Sequence, residues 1–193
     1  KPMIISTGMS TWDEIDLTAG AMKKTDAQFA LAHCISIYSP KKTSQLQMGV
    51  IREMRSRYGV PVGLSDHTPP EGVTDLSGGK VTQEETIWGA IGAGAVFVEK
   101  HFTLDRSLPG PDHAFAIQPA ELREMVRCIR DVETAFGYGI KDGPREPEME
   151  MYEKGRRSLH AARPIRAGET IHLRLVVFLP PRTFPVRPNE DVL

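Results

Sequence analysis

Apolar positions along the chain fall into a repeating cadence: a short continuous run, a polar break, then a longer stretch with apolar residues at helical spacing. Met3 to Thr7, Phe29 to His33, Val60 to Leu64 and Ala95 to Phe102 are the short runs, and they read as strands. Trp12, Ile15, Ala19 and Met22 mark the first helix, which Ser10 and Asp13 are expected to cap. Leu46, Val50, Ile51 and Met54 mark the second, and Ile87, Trp88 and Ile91 a third beyond the polar, Gly-rich interval Thr68 to Gln83. Pro119 opens the strongest helix, where Leu122, Met125, Val126, Ile129, Val132, Ala135 and Phe136 form a wide stripe opposite Arg123, Glu124 and Arg130. Strands alternating with helices predict parallel pairing and right-handed crossovers, and four such units make half of an eightfold barrel.

The cadence stops after Phe136. Gly137 to Gly155 carries Pro144, Pro147 and dense charge, so residues 138–155 read as a linker between a half barrel over 1–137 and a small β-rich unit over 156–193. Within that unit, Ser158 to Ala162 and Arg174 to Leu179 are the strand-like pieces.

Composition narrows the function classes. The 193 residues are 40% hydrophobic and 25% charged, enough for one good core. Twenty-four basic residues against 25 acidic ones leave a net charge of -1, which gives no electrostatic case for nucleic acid or an acidic membrane. With no apolar run of membrane-spanning length and no signal peptide, a cytoplasmic location is expected. Cys34 and Cys128 lack metal-ligand spacing and read as buried, reduced thiols.

Candidate chemistry gathers where the strands end. Ser6-Thr7-Gly8, His33-Cys34-Ile35-Ser36-Ile37-Tyr38, Ser65-Asp66-His67-Thr68 and Glu99-Lys100-His101 place hydroxyl, imidazole and carboxylate groups at the carboxyl edge of each strand. Polar groups are costly to pack there unless they line a polar cavity. His67 and His101 stand at matching positions of neighbouring strands, suited to one metal ion; each could instead be satisfied by a backbone carbonyl. Ser6, Ser36 and Ser65 suit a phosphate or carboxylate, with helix capping as the alternative. His33 and Cys34 should point to opposite strand faces, against a catalytic dyad. Glu99 and Lys100 read as an ion pair at the rim, and His113, His160 and His172 receive no role.

Five of these stretches, in order over residues 1–137, resemble the N-acetylneuraminate (sialic acid) synthase family: Lys1 to Met9, His33-Cys34 with Tyr38, Gly63 to Thr68, Glu99 to Thr103, and Pro109-Gly110-Pro111-Asp112-His113. Arg156 to Leu159 with Ile165 to Glu169 is similar to the opening of that family's antifreeze-like (SAF) domain. The resemblance implies the second half of a TIM barrel followed by a partial SAF domain. It implies a transferase that condenses phosphoenolpyruvate with an open-chain N-acyl hexosamine, of the N-acetylmannosamine kind, to a nonulosonic acid with release of phosphate. It further implies Mn2+ or Mg2+ held by His67 and His101, phosphoenolpyruvate held by Ser6, Ser36 and Ser65, the acceptor sugar met by Tyr38 and Asp112, and a homodimer. The family's general-base glutamate would precede Lys1.

This chain departs from the family pattern in several places. Ser36 stands where some members carry Asn, and Ser39 separates Tyr38 from Pro40. The interval Pro69 to Glu85 is longer than the family's usual link. Leu179-Pro180-Pro181-Arg182 replaces the usual Arg-Pro-Gly turn of the SAF domain. Two other readings remain open on the residues alone: a metal-dependent barrel lyase or hydrolase that does not use phosphoenolpyruvate, and a non-catalytic remnant.

Overall fold

The four apolar runs pair side by side in chain order. A computed structural model describes residues 1–179, which divide into one unit over Lys1–Gly137 and a second beginning at Tyr138. In the first unit the elements are β1 (Met3–Ser6), α1 (Trp12–Lys23), β2 (Phe29–Cys34), α2 (Gly49–Tyr58), β3 (Val62–Asp66), β4 (Val73–Thr74), β5 (Lys80–Val81), α3 (Gln83–Ala93), β6 (Val98–Lys100) and α4 (Pro119–Phe136). The sheet order is β1-β2-β3-β6, parallel throughout, a curled half-barrel sheet.

Register decides which side chains share a face. Ile5 pairs with Leu31, Leu31 with Val62, and Leu64 with Val98, and these residues pack against the helices through Ile15, Ala19, Ile51, Met54, Ile87, Ala90 and Met125. Leu31, Ile51, Val62 and Ile87 are wholly buried. Burial of such a side chain stabilises by about 1.5–3 kcal/mol. The alternate positions, Ile4, Ala32, Gly63, Ser65 and Glu99, form the inner face. A side chain at Gly63 would stand 2.5 Å from the Phe97 ring, so Phe97 lies over bare backbone there.

Local readings shift in four places. The first helix is capped by Thr11, not Ser10: extended backbone at Thr11 lets its hydroxyl accept from Glu14 N while the Glu14 carboxylate accepts from Thr11 N at 2.7 Å. The last sheet strand is shorter than Ala95 to Phe102, although Val96 N donates to Val62 O (2.9 Å) and carries the pairing back towards Ala95. Thr68 to Gln83 is not all loop; it folds into the antiparallel β4–β5 hairpin. The α4 stripe is only half used: Met125 is buried, whereas Leu122 and Val126 stay exposed beside the open edge of β6 and Phe136 stays exposed near Gly92 of α3.

The second unit holds a short helix α5 (Met149–Gly155), within the stretch expected as linker, and the antiparallel pair β7 (Ser158–Ala161) and β8 (Val176–Leu179). Pro180, Pro181 and Arg182, where the departure from the SAF turn was noted, lie outside the described residues. Among the described residues no helix is long and apolar enough to cross a membrane.

Candidate active site

Ser6, Cys34 and Ser65 sit at the carboxyl ends of three adjacent strands, and Cys34 pairs directly with Ser65. Adjacent residues of β2 point oppositely, so Cys34 faces inward while His33 is buried on the helix side, its Nε2 2.9 Å from Leu46 O. The Cys34 Sγ stands 3.9 Å from His67 Nδ1 and 3.6 Å from Ser36 Oγ. The hydrogen bond with His67, aided by the hydroxyls of Ser36, Ser6 and Ser65, lowers the Cys34 pKa to about 7 against the opposing effect of burial. Three serines from three segments therefore surround one thiol. Gly8 makes this convergence sterically possible, since a Cβ there would lie 2.4 Å from Ser36 Oγ and 3.0 Å from the thiol.

A second cluster shares His67 with the first. The His67 and His101 ring centroids are 5.2 Å apart. Tyr38 stands edge-on to His67 at 4.3 Å and to His101 at 5.8 Å, and Phe115 closes the group 5.1 Å from His101. Asp112 Oδ2 lies 3.6 Å from His101 Nδ1. Each imidazole thus has its Nδ1 beside a neighbour. Neither Nε2 has a hydrogen-bond partner among the described residues.

Lys100 does not pair with Glu99, as the sequence suggested. Parity sends Glu99 to the inner face, and Lys100 turns to the helix side, where Nζ meets Asp66 Oδ2 at 2.6 Å and also the Thr68 carbonyl. Burial pushes the Lys100 pKa down, and the Asp66 charge opposes that shift. The pair joins the residues immediately before His67 and His101. His113, given no role, bonds Thr103 Oγ1 at 2.7 Å, and His160 bonds Ser158 Oγ at 2.8 Å.

All seven sequence-predicted site residues lie at this edge. Ser6, Ser36 and Ser65 meet at the thiol, while Tyr38, His67, His101 and Asp112 form the neighbouring group. Cys34, read from the sequence as a buried thiol without a site role, and Phe115, not singled out there, belong to these clusters as well. Strand parity alone could have found Cys34, which shares the face of Ala32 and aligns with Ser65.

A parallel βα sheet with hydroxyls, a thiol and two imidazoles on its carboxyl edge has the architecture of a barrel-type enzyme. Residues 1–141 match the NeuB family, and the chain belongs to that family. It is 36% identical over 182 residues to an uncharacterized protein of Methanocaldococcus jannaschii, covering 94% of this chain and 50% of that protein. It is 34% identical over 194 residues to the N,N'-diacetyllegionaminic acid synthase of Legionella pneumophila, covering 98% of this chain and 50% of the relative. The crystal structure of N-acetylneuraminic acid (sialic acid) synthetase from Leptospira borgpetersenii, in complex with citrate, superposes with a TM-score of 0.64 at 31% identity, over 78% of this chain and 47% of that one. The chain spans about half the length of the curated relatives it matches.

Proposed function

We propose that this chain supplies the phosphate- and acceptor-facing half of a nonulosonic acid synthase that condenses phosphoenolpyruvate with an N-acyl hexosamine. The observation that carries the reading is the meeting of two chemically different clusters at His67: serine hydroxyls around a thiol on one side, imidazoles with a tyrosine and a carboxylate on the other.

Ser6, Ser36 and Ser65 donate hydrogen bonds to the phosphate and carboxylate oxygens of phosphoenolpyruvate. Tyr38 and Asp112 receive the hydroxyls of the open-chain sugar, setting its aldehyde carbon against C3 of phosphoenolpyruvate. Water then adds at C2 and phosphate departs by C–O cleavage. His67 and His101 would hold Mn2+ or Mg2+ through ring nitrogens, and neither Nε2 has a hydrogen-bond partner among the described residues. The two rings stand close enough, at 5.2 Å between centroids, for both to serve one ion. The Cys34 thiol beside His67 Nδ1 helps to orient that ring. When bound, the ion supplies Lewis-acid polarisation of the aldehyde oxygen. On this reading the general base comes from the part of the synthase that this chain does not span, the unit from Tyr138 opens the SAF domain, and the active assembly is a homodimer.

The test follows phosphate release from phosphoenolpyruvate, labelled with 18O in the bridging position, upon addition of N-acyl hexosamines to the enzyme containing this chain. Label recovered in phosphate supports the reading; release that needs no acceptor would end it. His67→Ala and His101→Ala should each abolish saturable Mn2+ binding in an electron paramagnetic resonance titration, and unchanged binding removes the metal assignment.

A further inference from the structure

The β4–β5 hairpin leaves the barrel sheet altogether, and its hydrogen bonds show what it serves. Its turn is self-supporting: Asp75 Oδ1 accepts from Ser77 N (2.8 Å), Ser77 Oγ (2.7 Å) and Gly79 N (2.7 Å). Val73 pairs with Val81, and Asp75 N donates inward to Gly79 O at 2.8 Å. Strand alternation therefore sends the Thr74 N–H outward, where it donates to Lys41 O at 2.8 Å, and Thr74 bridges Lys42 in parallel. A single isolated parallel bridge thus joins the two-stranded hairpin to Lys42.

Lys41 lies three residues beyond Tyr38, across Ser39 and the wholly buried Pro40. On the other side the same segment is tied only locally: Gln45 Oε1 accepts from Lys41 N (2.8 Å) and Lys42 N (2.9 Å), and Gln45 N donates to Lys42 O at 3.0 Å. Among the described residues, the contact with Thr74, a 2.8 Å bond to Lys41 O within the parallel bridge to Lys42, is the long-range backbone tie of residues 38–45. Tyr38 is 58% exposed and meets His67, His101 and Phe115 in T-shaped ring pairs, with no side-chain hydrogen bond among the described residues, so the path of the backbone behind it sets its place over His67.

We propose that the β4–β5 hairpin is a positioning and specificity element for the acceptor sugar, holding Tyr38 at its station through the bond from Thr74 to Lys41. The proposal rests on the reading of Tyr38 as an acceptor contact. Sequence changes in the hairpin then alter which N-acyl hexosamine is accepted with little effect on the phosphoenolpyruvate side, where Ser6 and Ser65 belong to other strands and Ser36 lies on the strand side of Tyr38 with its hydroxyl 3.6 Å from the Cys34 thiol.

The test uses T74P in the enzyme containing this chain. Proline removes the outward N–H donor to Lys41 O, while the inward pairing of Val73 with Val81 and the bond of Asp75 N to Gly79 O use other backbone groups. Leu76→Ser, at the 94% exposed tip, is the control. Hydrogen exchange should quicken over residues 39–45 in T74P and stay unchanged in β1 to β3. The acceptor KM should rise on the order of tenfold, the scale of effect that a misplaced contact produces, with the phosphoenolpyruvate KM within about twofold of its starting value. Leu76→Ser should match the unsubstituted enzyme in all three readings. Unchanged exchange at 39–45, an unchanged acceptor KM, or equal rises in both KM values would each overturn the proposal. Should the unsubstituted enzyme release no phosphate from phosphoenolpyruvate, the synthase reading fails and acceptor positioning fails with it, while the exchange data still decide whether the hairpin braces the loop.

Discussion

Asp66 and Lys100 form a buried ion pair, Oδ2 to Nζ at 2.6 Å, between in-register residues of two parallel strands, and each immediately precedes a site histidine. Because neighbouring strand residues face opposite ways, the pair locks the register from the helix side while His67 and His101 meet on the inner side.

Lys100→Met should therefore be strongly destabilising, by about 3–5 kcal/mol, since it leaves a carboxylate buried without its partner. The double variant Asp66→Asn with Lys100→Met should recover part of that loss. Urea denaturation midpoints of the three proteins decide it: no recovery in the double variant would mean the pair contributes packing rather than charge neutralisation.

Asp112 begins a 3-10 turn, yet its side chain makes no capping hydrogen bond. That weighs against a turn-stabilising role. In the enzyme, Asp112→Asn should raise the acceptor KM roughly tenfold to a hundredfold, the loss of one charged hydrogen bond worth about 1.5–3 kcal/mol. The phosphoenolpyruvate KM and the melting temperature should stay in place, and a fall in melting temperature with both KM values unchanged assigns Asp112 to the turn.

Cys34 should ionise near neutrality, with its pKa at about 7 chiefly through its bond with His67. Burial instead pushes the Cys128 thiol up. A titration of thiolate absorbance should show a step around pH 7 that disappears in Cys34→Ser and moves upward in His67→Gln. A step insensitive to His67 would disprove the coupling between the two.

Burial holds the His33 pKa below its usual 6.5, with the Leu46 carbonyl only partly opposing the shift. The unfolded chain therefore takes up the proton first as pH falls. The sign follows: stability is full above pH 6.5 and is lost below it, down through the folded-state value. His33→Gln, which keeps a donor for Leu46 O, should flatten that part of the melting-temperature profile measured between about pH 5 and 8. An unchanged slope would mean that other groups carry the acid sensitivity.

Periodicity in the sequence by itself determined the βα alternation, because apolar spacing within a strand or helix depends on nothing beyond a few neighbouring residues. The parallel order and the edge bearing His67 and His101 followed from that alternation. Parity likewise separated His33 from Cys34. The tertiary structure alone decided the rest. The serines meet around Cys34 because Gly8 allows one loop to approach Ser36. Lys100 chooses Asp66 over its neighbour Glu99, and Thr74 finds Lys41 across a polar interval without a strand-length pattern. The α4 stripe is left half exposed at the open edge of β6. Each of these joins residues far apart in the chain, and such contacts are set by register and steric fit between whole elements, which local spacing does not encode.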